Sequence, residues 1–147
     1  MTDRRPAWTS LAELAPWLRG QAVHLAAADA EPTLVEVLSA AGFTLARAAG
    51  AGNQPIADAL RLPSTAGTNL DALNDSLRDL SDRWPGTDRL ALLVPDAQIL
   101  VRSDLLGWLQ LSAVLEQATG MLWQTRRLVF ETVFLVPADS FGADSPS

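Results

Sequence analysis

"RLPSTAGTNLDALNDSLRDLSDRW", residues 61 to 84, decides the fold. Counted at about 100° per residue, Leu70, Leu73, Leu77, Leu80 and Trp84 fall in one narrow stripe. A stripe of that kind has to be buried against a core. Asp71, Asp75, Asp79 and Asp82 gather on the opposite side. The periodicity predicts one helix over residues 69–84, and the chain enters it from a Pro, Gly and Asn loop. Thr68 stands as its N-cap, and Asp71 three residues on makes a near capping box. Asp71 then lies in the first turn, where a carboxylate meets the positive end of the helix dipole. Arg78 sits among the acids, within reach of Asp75 three residues back and Asp82 four residues on. A charged face opposite an apolar stripe is what most surface helices show. This face, however, uses Asp throughout and no Glu, against the poorer helix propensity of Asp. The shorter, stiffer carboxylate suits a fixed acceptor for a guanidinium fork.

Outward from this helix, apolar runs alternate with amphipathic segments. Residues 22–28, 43–49, 89–97 and 126–137 read as strands, the third being the clearest because it is continuous and bounded by turns. Residues 31–42, 54–62 and 103–120 read as helices, the last opened by Ser103 as N-cap. Trp8–Leu18 carries a short helical pattern, and 64–69 is a loop. Continuous apolar strands between helices imply an α/β fold with a mainly parallel sheet. The sheet has three strands, or four if 22–28 joins it. At 147 residues one domain is expected. Within it, 1–42 is an N-terminal extension, 43–137 the core and 138–147 a loose tail.

The composition narrows the function. Net charge is −6, which suits a basic protein partner and opposes nucleic-acid binding, where positive charge must displace counterions. The chain has no Cys and a single His, so thiolate metal sites and disulfides are excluded. His24, in a strand beside Leu25, reads as a core or edge residue. An Asp71–Asp75–Asp79 ladder on one straight helix cannot surround an ion, so no metal or other cofactor is nominated. "GAGN" (50–53) lacks the Lys and the Gly spacing of a phosphate loop and reads as a turn. The Trp residues lie among leucines at helical positions, as packing groups. No pocket with coupled acid and base groups suggests itself, so an enzyme stands lowest. No secretory signal or membrane span is visible, and a cytoplasmic location is expected.

Leu62-Pro63, Gly67, Asn69, Leu70, Asp71-Ala72-Leu73, Asp75 and Leu77 stand at a fixed spacing that resembles the barstar family, the intracellular inhibitors of barnase-type ribonucleases. The resemblance implies a parallel sheet packed by helices, with the loop and acidic helix as the binding edge. It implies that the carboxylates stand in for RNA phosphates in the nuclease active site, as part of an immunity function. By position, Asp75 is the main anchor and Asp71 a second acidic contact. Gly67 is a backbone contact, and Asn69 shapes the loop. Thr65, Asn74, Arg78 and Asp79 complete the expected partner-binding set. Where the family carries aromatics after the Pro, this chain has Ser64, Thr65 and Ala66, and it has no Tyr at all. The alternative is therefore a barstar-fold interaction or structural protein without inhibitor activity. Only one helix is expected between the last two strands, where the family often has two.

Overall fold

A computed structural model describes residues 19–20 and 23–138. Strands β1 (Arg19–Gly20), β2 (Val23–Ala27), β3 (Thr44–Arg47), β4 (Arg89–Val94) and β5 (Val129–Val136) form one sheet in the order β1-β2-β5-β4-β3. All pairings are parallel except β1 with β2. Val23–Ala27, within the run expected over 22–28, therefore does join the sheet, which has four parallel strands and a short antiparallel edge. The helices are α1 (Glu31–Ala40), α2 (Asn53–Ala59), α3 (Leu70–Leu77), α4 (Leu80–Arg83), α5 (Ala97–Ser103) and α6 (Leu105–Arg126). The helix expected over Trp8–Leu18 and the tail from residue 139 lie outside the described residues.

The sheet is covered on both faces. Leu90, Leu92, Phe130 and Phe134 point to one side, where they meet Ile56, Leu73, Leu77, Leu80 and Leu115 from the helices. Ala91, Leu93, Val133 and Leu135 point to the other, where Leu34 and Leu38 of α1 and Phe43 close a second core. β5 is buried along its whole length, as expected of a strand with neighbours on both edges and layers on both faces.

Local signals set the element ends. α1 stops because Gly42 takes φ +88°, a left-handed value that glycine adopts without penalty. Phe43 N–H then donates to Leu38 O at 2.9 Å, and both side chains are buried in the second core. Arg47 grips Glu31 through two bonds, at 2.7 and 3.2 Å, tying β3 to the start of α1. α2 ends the same way as α1 but with Arg61 at φ +63°. From there its guanidinium stacks on the Trp84 ring, 3.7 Å from the centroid, while Trp84 Nε1 donates to Leu60 O at 2.9 Å.

Four expectations are corrected. The helix expected over 69–84 breaks into α3 and α4. At the break, Asp79 N–H turns to Ser76 O at 3.1 Å and Asp82 N–H to Asp79 O at 3.0 Å, three-residue bonds in place of four-residue ones. Asp and Ser compete with the helical ladder for backbone partners, and they cluster here. Two helices, not one, separate β4 from β5. α5 carries no helical stripe, because Ile99, Leu100 and Val101 run consecutively and only Ala97 is buried. Its successor starts from Asp104, not Ser103: Asp104 Oδ1 accepts from Gly107 N–H at 2.9 Å. α6 also runs through Gly120 to Arg126, because Leu122 continues its buried stripe.

The buried stripe itself survives the break: Leu73, Leu77 and Leu80 are wholly inaccessible, and Trp84 nearly so. Leu77→Ala should cost about 2–5 kcal/mol in chemical denaturation, the range for a cavity left by a core leucine. A loss below about 1 kcal/mol would show that the stripe does not carry the packing assigned to it.

Candidate binding edge

The edge is built by the chain from Leu62 to Asp79. Pro63 leads into a 3-10 turn, Ser64–Gly67, whose Ala66 is buried while Ser64 and Thr65 are exposed. Gly67 is there for space. A Cβ at this position would lie 2.7 Å from the backbone Cα of Gln54, closer than real Cβ contacts come. Thr68 is not the helix cap. Its hydroxyl donates to Thr65 O at 2.8 Å, closing the turn. Asn69 is the cap instead: its extended backbone precedes α3, and its Oδ1 accepts from Ala72 N–H at 2.8 Å. Two of the expected contact residues, Gly67 and Asn69, thus have structural duties of their own.

Asp71 and Asp75 stand one turn apart on the exposed side of α3. Among the described residues, no cationic side chain comes within ion-pair distance of either. The same holds for Arg78, so the pairs expected with Asp75 and Asp82 do not form. Asp79 instead faces Arg126 Nη2 at 3.7 Å, with both side chains largely in solvent, a contact of little energetic weight. Because the helix breaks at Asp79, Asp82 belongs to α4. The four-acid ladder is therefore a two-acid one on α3, with Asp79 at its end.

α6 lies alongside and forms a groove with the flank of α3 that carries Asp71, while Asp75 lies outside it. Asn69, Leu70 and Asp71 form one wall of its first part, with Gln110, Ala113 and Val114 opposite. Further along, Asn74 and Arg78 face Gln117 and Met121. The motif gave no sign of the α6 wall. The only available clue was the three-to-four spacing of Gln110, Ala113 and Gln117, which helical surfaces commonly show. Thr65, Asn69, Asp71, Asn74, Asp75, Arg78 and Asp79 do occupy one continuous stretch from the turn to the helix break. No group of three or more His, Asp or Glu side chains among the described residues gathers where a metal ion could sit. No described helix is long and apolar enough to cross a membrane.

An α/β module with an acidic helical edge is thus the class that fold and site define. Its family follows from comparison with known proteins: the family model described as Barstar (barnase inhibitor) matches residues 53–134, more than half of the chain. The chain belongs to this family. Searches of curated proteins and of solved structures returned no match.

Structure and contact should separate by mutation. Asn69→Ala should cost about 1 kcal/mol of stability through the lost cap. Gly67→Ala should cost about 1–3 kcal/mol through overpacking against Gln54. Asp71→Ala and Asp75→Ala should each change stability by less than about 1 kcal/mol, being exposed. Urea titrations of the four variants check this. An aspartate variant as unstable as Gly67→Ala would show that the carboxylates hold the fold together.

Proposed function

We propose that this protein binds and blocks a basic ribonuclease of the barnase type, or a related toxin, with α3 as the inserted edge. The observation that carries the reading is the pair Asp71 and Asp75, exposed one turn apart with no cation beside them among the described residues. Carboxylates already neutralised by their own neighbours would be poor substitutes for RNA phosphates. These remain available to a partner's arginine forks or lysines. The net charge of −6 favours encounter with such a partner. Asp75 is the main anchor and Asp71 the second, while Thr65, Gly67 and Asn69 present the loop. Asn74, Arg78 and Asp79 line the far end of the edge. The protein acts in the cytoplasm by occupancy, without cofactor or turnover.

A second reading has its own observation. Ser64, Thr65 and Ala66 supply none of the aromatic area that usually anchors an interface. Large apolar side chains are exposed elsewhere, at Ile99, Leu105, Leu106 and Leu109. An interaction module that uses that patch, with no nuclease inhibition, is the alternative.

The test is inhibition and binding of a barnase-type ribonuclease encoded by the same genome. Each charge-assisted hydrogen bond is worth about 1.5–3 kcal/mol. Asp75→Ala should therefore weaken binding about ten- to a hundredfold, mostly through faster dissociation. Rising salt should weaken the wild-type complex more than the Asp71→Ala, Asp75→Ala complex. Equal affinity of wild type and double variant would refute the reading. No inhibition by wild type, together with a binding partner lost on Leu106→Ser, would establish the alternative.

A further inference from the structure

The acidic side of α3 does not stay acidic to its end. Asp71, Asp75 and Arg78 follow one another along it, all three exposed. Arg78 closes α3, and its backbone is still helical, with φ −60° and ψ −30°. It therefore stands about 10 Å beyond Asp71 along the axis, at 1.5 Å per residue. Asp71 lines the first part of the groove against α6, and Arg78 lines the last part, beside Asn74, Gln117 and Met121. The groove thus carries a negative group at one end and a positive group at the other.

The positive end is not neutralised from within. Asp75 precedes Arg78 by three residues, yet it forms no ion pair with Arg78 among the described residues. Asp82 lies on α4, beyond the break, and forms none either. The acid next in the chain, Asp79, faces Arg126 of α6 at 3.7 Å. Arg78, Arg126 and Asp79 together leave the far end net positive. Between the two ends, Asn74, Gln110 and Gln117 offer amide donors and acceptors, which can match the backbone of a polypeptide.

We propose that Arg78 selects the partner: the protein that takes Asp75 into a basic cleft carries, beside that cleft, an Asp or Glu side chain that meets Arg78 at the far end of the groove. This rests on the reading of α3 as the inserted edge and deepens it. The ground is charge complementarity. Against a face that is basic throughout, Arg78 would lie cation to cation and would weaken the field of Asp75 three residues away. Against a carboxylate, the same guanidinium forms a forked, charge-assisted bond. It then disfavours any partner that has the basic cleft but lacks the acid.

The experiment measures the affinity of the full chain for the barnase-type ribonuclease of the same genome, using wild type, Arg78→Ala, Arg78→Glu and Asp75→Ala. Thermal melts check that each variant is folded; all three replace exposed side chains, so the midpoints should stay close to that of wild type. Arg78→Ala should weaken binding about tenfold or more, the loss expected for one charge-assisted bond. Arg78→Glu should weaken it further, because two carboxylates then face each other. A partner face that is basic throughout gives the opposite sign. Arg78 variants that bind as tightly as wild type, or more tightly, would overturn the proposal. Asp75→Ala separates this outcome from failure of the underlying reading. If Asp75→Ala weakens binding while the Arg78 variants do not, α3 is the edge and the partner lacks the acid. If Asp75→Ala binds like wild type, or wild type does not bind the nuclease, the reading of α3 falls and the proposal falls with it.

Discussion

The geometry of the candidate edge depends on the burial of Leu73, Leu77, Leu80 and Trp84 beneath α3 and α4. These side chains fix the rotation of α3 about its axis, and that rotation alone decides where Asp71 and Asp75 point. Trp84 does more than fill space. Its indole N–H bonds to Leu60 O, and Arg61 stacks on its ring. The residue that ends α4 thereby holds the residues that begin the Pro63 turn. Loop and helix are fastened at both ends, and Gly67 against Gln54 sets their closest approach. An acidic edge held this rigidly loses little entropy when a partner meets it, which is the physical advantage of preorganisation.

Much of this was legible in the sequence, for physical reasons. The leucine stripe is a strict helical period and cannot be satisfied any other way. β4 and β5 are continuous apolar runs, because strands covered on both faces need no alternation. The spacing from Leu62 to Leu77 placed the chain in its family. What was not legible involved competition between nearly equal local choices. The break at Asp79 follows from a few Asp and Ser residues preferring tighter bonds, and the leucine period runs straight through it. Thr68 and Asn69 are both acceptable caps, and only the extended backbone at Asn69 selects it. α5 has almost no buried face, so its sequence carries no stripe to find. The α6 wall of the groove depends on tertiary packing, which a one-dimensional pattern does not record.

His24 shows the same boundary from another side. Its place in a strand beside Leu25 suggests a core or edge residue, and it is fully buried. Its partner lies on a strand 107 residues away, beyond the reach of any local pattern. Glu131, in the middle of an apolar strand, was the available sign that something polar had to meet it. β2 and α1 are thus integral to the sheet and its second core, while the candidate edge lies on the helices that cover the opposite face.

The central claim is that the partner meets the exposed side of α3. The most direct measurement is a backbone amide shift map of the protein, recorded as a barnase-type ribonuclease from the same genome is added. The account predicts perturbations concentrated in Thr65–Asp79 and in Gln110–Val114 across the groove. Perturbations confined to Ile99–Leu109, with the Asp71 and Asp75 amides unmoved, would contradict it.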